Sequence, residues 1–379
     1  MMCLIWVGLT RIGICLTGTE VKAVPTESSM KILSSDPESP EKYFDHAFGF
    51  FKRGQQHTGY SPEFFFQIDG FTIRLVFAGN SLYPAITTVF AHLRINPVPD
   101  VDLTVCCWDS LSTSTPPPWL PKLKNAIGKE NDITYFDDEA IYFSFNHTSG
   151  VLNLFRAREK IGLFWIKSHT KLPQYEKASA LKNLLNWFFY RRHFYMVHSA
   201  AVGINDRGIL IGGKGRTGKS TTAMACFRYG MKYAGDDYIM LAKNRGYRAY
   251  SVYNSIKLEE NNIFRLFKLP SDMVTVDSFY KKNVMYLNDM NRAGISTGFK
   301  ICALLLPNIQ TDTKPGLKRI SPAQAFREMA PSSIFQQMGP KERVFEFLAE
   351  MTRMLPCYQL TLSADIDRIA KIIEKLIEE

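Results

Sequence analysis

The sequence predicts a β-rich N-terminal domain followed by an α/β domain, and three observations carry that expectation. Short apolar runs of strand length recur between residues 62 and 170, separated by turn-forming residues. Between residues 196 and 242 the pattern changes to strand, glycine-rich loop, helix and strand. The chain then closes on two segments whose apolar residues recur at helical spacing. The expected boundaries are a loose tail or over-long gene start at 1–29, the β-rich domain at 30–172 and the α/β domain at 173–379.

Composition fits this plan. At 379 residues, with 46% hydrophobic and 22% charged, the chain has material for more than one packed core and is not a disordered protein. The net charge of +10 is spread along the sequence, its densest groups being pairs such as Arg191-Arg192 and Lys281-Lys282. No nucleic-acid reading motif accompanies it, so the charge points to solubility and phosphate-bearing ligands, with no nucleic-acid partner. The seven cysteines are Cys3, Cys15, Cys106, Cys107, Cys226, Cys302 and Cys357, with no C-x-x-C pair and no histidine at metal-ligand spacing. That usage fits a reducing cytoplasm, and Cys106-Cys107 fall in an apolar run where buried thiols are expected. The first 17 residues are apolar but interrupted by Arg11, carry no basic leading region and are short for a membrane span. No stable membrane insertion is expected, and Met30 offers a second start.

The β-rich half begins near Pro62. FFFQI and FTIRLVFA flank Asp69-Gly70, a strong hairpin signal. VDLTVCCW follows, then Asp109 to Pro121, whose Ser, Thr and Pro content reads as an exposed loop. DITYF, AIYFSF, VLNLF and GLFWI complete a mostly antiparallel region over residues 45–170. Asn146-His147-Thr148 matches a glycosylation acceptor, which a cytoplasmic protein does not use.

One helix over residues 175–190, with Leu181, Leu184, Leu185, Phe188 and Phe189 on its buried face, is expected to bridge the halves. MVHSAAVGI and ILIGG read as two strands joined through Asn205-Asp206-Arg207-Gly208, the second running into the glycine-rich loop. Thr221 to Tyr229 continue as a helix capped by Gly230, and a strand beside the loop's own strand delivers Asp236-Asp237. YIMLA, RAYSVY and ICALLLP are further strands. VFEFLAEMTRML and the segment from Asp365, with Ile366, Ile369, Ala370, Ile373 and Leu376 on one face, are the closing helices.

The chemistry lies in residues 213 to 220. Gly213, Gly218, Lys219 and Ser220 meet the pattern G-x-x-x-x-G-K-[ST] of a phosphate-binding P-loop, with Lys214, Gly215, Arg216 and Thr217 as its variable positions and Thr221 following. Glycines let successive N–H groups face one concavity, and the next helix adds the positive end of its dipole. Lys219 would lie against the β- and γ-phosphates of ATP, and Ser220 would ligate Mg²⁺. Asp236-Asp237, one helix downstream, would supply the carboxylate that a bound nucleotide needs. His198, if it touched Asp236, would tune that carboxylate.

HSAAVGINDRGILIGGKGRTGKSTTAMACFRYGMKYAGDDYIML, residues 198–241, resembles the core of HPr serine kinase/phosphorylase. The shared features are the histidine ahead of the loop, the loop itself and the aspartate pair closing the next strand. The resemblance implies an HPr-kinase-like α/β fold and ATP- and Mg²⁺-dependent phosphorylation of a serine on a protein or peptide. It implies Asp236 as general base, Asp237 at the metal or the base, and His198 assisting Asp236. Lys214 departs from the acidic residue expected at that position, and the R-G-L-G-I signature of the family's reverse reaction is missing. YNSIKLEE stands downstream, where Lys257 and Glu259 are candidates for phosphate and metal contacts. The β-rich first half also differs from the bifunctional enzymes. The chain is therefore more similar to divergent HPr-kinase-like proteins, some of which phosphorylate a precursor peptide, and APSSIFQ and LPCYQL add a weaker likeness. The implied acceptor is an HPr-like protein or a precursor peptide; self-association into a homo-oligomer stays open. Two other readings share the loop: a P-loop ATPase or small-molecule kinase, and a nucleotide-sensing module that transfers nothing.

Overall fold

The computed structural model describes residues 39–120, 132–133, 140–259, 266, 275–277, 282–310, 314–334, 341–363 and 365–379. The expected tail at 1–29, the second start at Met30, Cys3, Cys15, Pro121, Lys281, the last three residues of DITYF, Glu260, and Phe335-Gln336 of APSSIFQ lie outside these.

The first described element is a helix, α1 (Pro40–Thr58). Ser39 Oγ accepts from the Lys42 N–H at 3.3 Å, Pro40 sits in the first turn and Gly59 at φ 62° closes the helix. Tyr43, Phe44, Ala47, Phe50 and Phe51 form its buried face. The expectation of β structure from residue 45 is corrected here, because this 3.6-residue period precedes the first alternating strand.

Seven strands follow: β1 (Glu63–Ile68), β2 (Phe71–Phe77), β3 (Leu103–Asp109), β4 (Asp132–Ile133), β5 (Ile141–Asn146), β6 (Val151–Arg156) and β7 (Ile161–Ile166). They form one sheet in the order β1-β2-β3-β7-β6-β5-β4. Asp69 at φ 47° and Gly70 at φ 81° make the expected β1-β2 turn. The pairings β2-β3 and β3-β7 are parallel and the others antiparallel, so the sheet is mixed. Parallel neighbours need long crossovers, which residues 78–102 and 110–160 supply. Cys106 and Cys107 are buried in β3, as expected. The segment after Asp109 is less exposed than its composition suggests: Ser110 to Thr113 form a helical turn, and Ser110, Thr113 and Thr115 are buried.

The expected helix at 175–190 is two pieces, a turn at Gln174–Ala178 and α2 (Lys182–Tyr190). Leu181 at φ 61° breaks it, since a left-handed residue cannot continue the helical ladder. The stripe is nevertheless buried. Leu184, Leu185, Phe188 and Phe189 join one apolar cluster with Phe66 of β1, Phe90 of the helical turn Thr88–Leu93, and Met240, Val252 and Tyr253 from the second half. That shared core crosses the boundary expected at 172–173.

The second sheet holds β8 (Tyr195–Val197), β9 (Ala200–Ile204), β10 (Arg207–Ile211), β11 (Lys232–Gly235), β12 (Ile239–Lys243) and β13 (Tyr247–Tyr250). A three-stranded sheet, β14 (Ser255–Leu258), β15 (Thr275–Asp277) and β16 (Lys282–Tyr286), lies between these and β17 (Gly298–Ile309), β18 (Gly316–Arg319) and β19 (Cys357–Leu362) in sequence. The order is β11-β9-β10-β17-β13-β12-β8, with β19 on the later part of β17 and β18 on β19. β17 runs parallel to β10 and to β19.

Four helices accompany this sheet: α3 (Lys219–Arg228), α4 (Pro322–Ile334), α5 (Glu342–Met354) and α6 (Ile366–Glu378). Residues alternate along β9, β10 and β17. Ala200, Val202, Ile209, Ile211 and Leu305 pack with Ala223 and Met224 of α3 and Ile369, Ala370 and Ile373 of α6. Ala201, Leu210, Leu304 and Leu306 pack with Met329 of α4 and Val344, Leu348 and Met351 of α5. Each face is thus covered, and each buried Leu or Ile contributes roughly 1.5–3 kcal/mol. α4 was not legible as a helix; Ser321, whose Oγ accepts from the Gln324 N–H at 3.2 Å, starts it.

Candidate functional site

β9 is antiparallel to both β10 and β11, so the ends of β10 and β11 and the start of β9 meet at one edge of the sheet. Ala201 pairs with Leu210 on one side and with Gly235 on the other. The expectation that the aspartate strand lies directly beside the loop's strand is corrected: the two-residue turn after Ile204 folds β9 into that slot. MVHSAAVGI is likewise two strands, because the chain leaves β12 after Val197 and crosses to β9 through His198 and Ser199. The result brings His198, the loop 213–220 and Asp236-Asp237 to the same edge.

The loop joins β10 to α3, and its path needs left-handed backbone at Gly213 (φ 122°), Arg216 (φ 66°) and Gly218 (φ 98°). At Gly218 a Cβ would also overlap the Leu362 side chain of β19, so glycine is required twice over. Thr217 Oγ1 donates to the Lys214 carbonyl at 2.9 Å and tightens the curl. Lys219 is buried, and its ammonium donates to the carbonyls of Gly213 at 3.1 Å and Lys214 at 2.9 Å. Helix α3 begins at Lys219, so the positive end of its dipole adjoins the loop. At its far end Gly230, at φ 101°, caps α3 as expected, with Met231 N–H donating to Cys226 O at 3.0 Å.

Asp236 is 3% exposed, and neither carboxylate oxygen has a hydrogen-bond partner among the described residues. Burial and then the Asp237 charge push its pKa up to about 6. The Ser220 hydroxyl, the Asp237 amide and the Lys219 ammonium lie near enough to pull it partly back, without geometry that closes a hydrogen bond. A buried carboxylate without a bond costs stability.

Asp237 is held differently. It sits at φ 64°, Lys257 Nζ lies 3.2 Å from its Oδ2, and His198 Nε2 lies 3.6 Å from its Oδ1. Burial lowers the Lys257 pKa, but Asp237 and Tyr238 beside it more than offset this, so the net shift is upward. His198 thus contacts Asp237, whereas the sequence raised a contact with Asp236. Its backbone N–H donates to Ser333 Oγ at 3.2 Å, which fixes the turn between β8 and β9. Lys257, on β14, joins the site through Asp237, while Glu259 is exposed just past the end of that strand.

For a divalent cation, Ser220 and the open oxygens of Asp236 are donors that fit, since Mg²⁺ takes one or two protein oxygens and completes its shell with phosphate and water. Asp237, expected at the metal, has one oxygen against Lys257 and the other near His198. No group of three His, Cys, Asp or Glu side chains is placed to hold a metal among the described residues. No helix among them is long and apolar enough to cross a membrane.

Several contributors came without warning from the sequence. Leu362 from β19 packs on Gly218, Met329 from α4 packs on Gly212, and Ser332 Oγ reaches the Gly213 carbonyl at 3.4 Å. Lys182 from α2 donates to Tyr238 Oη at 3.4 Å. Each lies far from the loop in sequence, so no local pattern could signal it.

No protein-family model matches the chain, and no curated protein matches it. Among solved structures it is similar to the HPr(Ser) kinase/phosphatase from Coxiella burnetii, at 13% identity and a TM-score of 0.25, over 48% of this chain and 93% of that one.

Proposed function

We propose that this protein is an ATP-dependent kinase that transfers the γ-phosphoryl group to a serine hydroxyl of a protein or peptide. The carrying observation is the buried, unbonded carboxylate of Asp236 beside Lys219 and Ser220 at the end of a glycine-rich loop. The loop amides and Lys219 grip the polyphosphate, and α3 directs its positive end at the same place. Mg²⁺, which the Ser220 hydroxyl would hold together with phosphate and water oxygens, would supply neutralisation of phosphate charge.

The acceptor serine comes to Asp236, whose free oxygen takes the hydroxyl proton as the serine oxygen bonds to phosphorus. The bond from phosphorus to the bridging oxygen breaks, and ADP departs with that electron pair. Asp237, restrained by Lys257 and His198, keeps a fixed negative charge beside Asp236 and so raises its proton affinity toward neutrality. Substrate positioning supplies the remainder, because phosphoryl transfer asks the protein mainly for orientation and charge.

Incubation of the purified protein with γ-labelled ATP and a lysate of its host, followed by mass spectrometry of labelled species, tests this reading. A phosphoserine on a protein or peptide is the expected product. Steady ADP release with no labelled acceptor would make the protein an ATPase, and labelled small molecules would make it a different kinase.

A further inference from the structure

The opposite edge of the second sheet carries a cleft of about 490 Å³, at the start of β10 and of β19. That volume falls in the range of roughly 300–1,000 Å³ that small-molecule sites occupy. Arg207 opens β10, Arg319 ends β18 opposite Tyr358, and Arg353 stands in the last turn of α5. All three line the cleft, against a single acidic side chain among the lining residues, Glu379.

None of the three guanidiniums forms an ion pair with a carboxylate among the described residues. Arg353 Nε donates to the Ala349 carbonyl at 3.0 Å, which steadies it on its own helix. Two thiols also line the cleft. Burial raises Cys302 and Cys357, while Arg207 pulls the first down and Arg319 the second. The guanidiniums therefore project their charge over the cleft wall.

We infer that this cleft is a binding site for a small molecule bearing two or more anionic groups, of phosphate or carboxylate type. Guanidinium forks grip such groups bidentately, and three of them, from β10, β18 and α5, can engage more than one anionic group. β10 spans five residues, so the glycine-rich loop at its other end lies roughly 15 Å away and the two sites are separate. Binding here does not depend on the kinase reading.

The test uses the full chain carrying Lys219→Ala, which silences the glycine-rich loop, titrated calorimetrically with pyrophosphate and with citrate. Heat is expected from at least one probe, weaker at high salt, and the stronger of the two assigns the anionic group. Adding Arg207→Gln and Arg319→Gln should weaken that binding at least about tenfold. Arg353→Gln alone serves as the second variant should the combined one lose its cooperative melting transition. Unchanged affinity after loss of the arginines, or no heat from either probe, overturns the assignment.

Discussion

Two buried aspartates, one in each sheet, are treated in opposite ways. Asp109 ends β3 at 1% exposed, and its carboxylate accepts from the Ser112 amide at 3.1 Å, the Ser112 hydroxyl and the His169 amide at 3.3 Å, with His169 Nδ1 also at 3.3 Å. Asp236 follows the end of β11 nearly as deeply buried, yet neither of its carboxylate oxygens has a hydrogen-bond partner among the described residues. The first carboxylate organises its neighbourhood: it caps the turn at Ser110 and ties β3 to the segment after β7. The second is left open beside a cation and a glycine-rich loop. Burial alone therefore does not distinguish structure from chemistry, but the hydrogen bonds around the buried group do.

The comparison can be broken most forcefully by kinetics. Asp236→Asn should lower phosphoryl transfer by about 10²–10⁴-fold while ATP affinity changes little, measured by single-turnover assay and by calorimetry. Asp109→Asn should leave transfer per folded molecule intact.

Stability should sort the two aspartates in the reverse sense. Asp236 has a folded pKa raised to about 6, so the folded state binds the proton more tightly, and stability is lost as pH rises from the usual carboxylate range through 6. Asp236→Asn is thus expected to stabilise the ligand-free protein at pH 7.5 by on the order of 2 kcal/mol, with the gain vanishing below about pH 4. Asp109→Asn should destabilise it by about 1–3 kcal/mol, since it disrupts several bonds to a buried acceptor. Denaturant melts of both variants at the two pH values read this directly.

Smaller effects sharpen the picture. Transfer should rise with pH through about 6 and level off above it, as Asp236 loses its proton. Lys257→Met leaves the Asp237 charge less balanced, so the acidic limb of that profile should move upward by up to about one pH unit. Gly218→Ala forces a Cβ onto left-handed backbone and against Leu362, and should cost about 1–3 kcal/mol in a thermal melt.

The elements nearest the site were the most legible in sequence. The β9-β10 turn, the loop, the Gly230 cap and the strand ending at Gly235 all rest on local chemistry, in which one residue type decides one backbone conformation. The buried face of α6 was read correctly for the same reason. Legibility failed where the deciding contact was distant. The position of β11 beyond β9 is a matter of sheet order, Leu181 breaks a helix whose apolar spacing continues unbroken, and α1 was hidden by the aromatic residues it shares with strands. Within the site, residues 198, 213–220, 236 and 237 were named from the sequence, but the pairing of His198 and Lys257 with Asp237 was not. Salt-bridge partners 39 and 20 positions apart leave no periodic trace.

The central claim is that Lys219, the glycine-rich loop and Asp236 make one polyphosphate site. Calorimetric titration of ATP with Mg²⁺ into the parent protein and into Lys219→Ala tests it most directly. Saturable binding at one site in the parent, abolished in the variant while both melt alike, is the predicted result. Equal heats from the two proteins, or none from the parent, would contradict it.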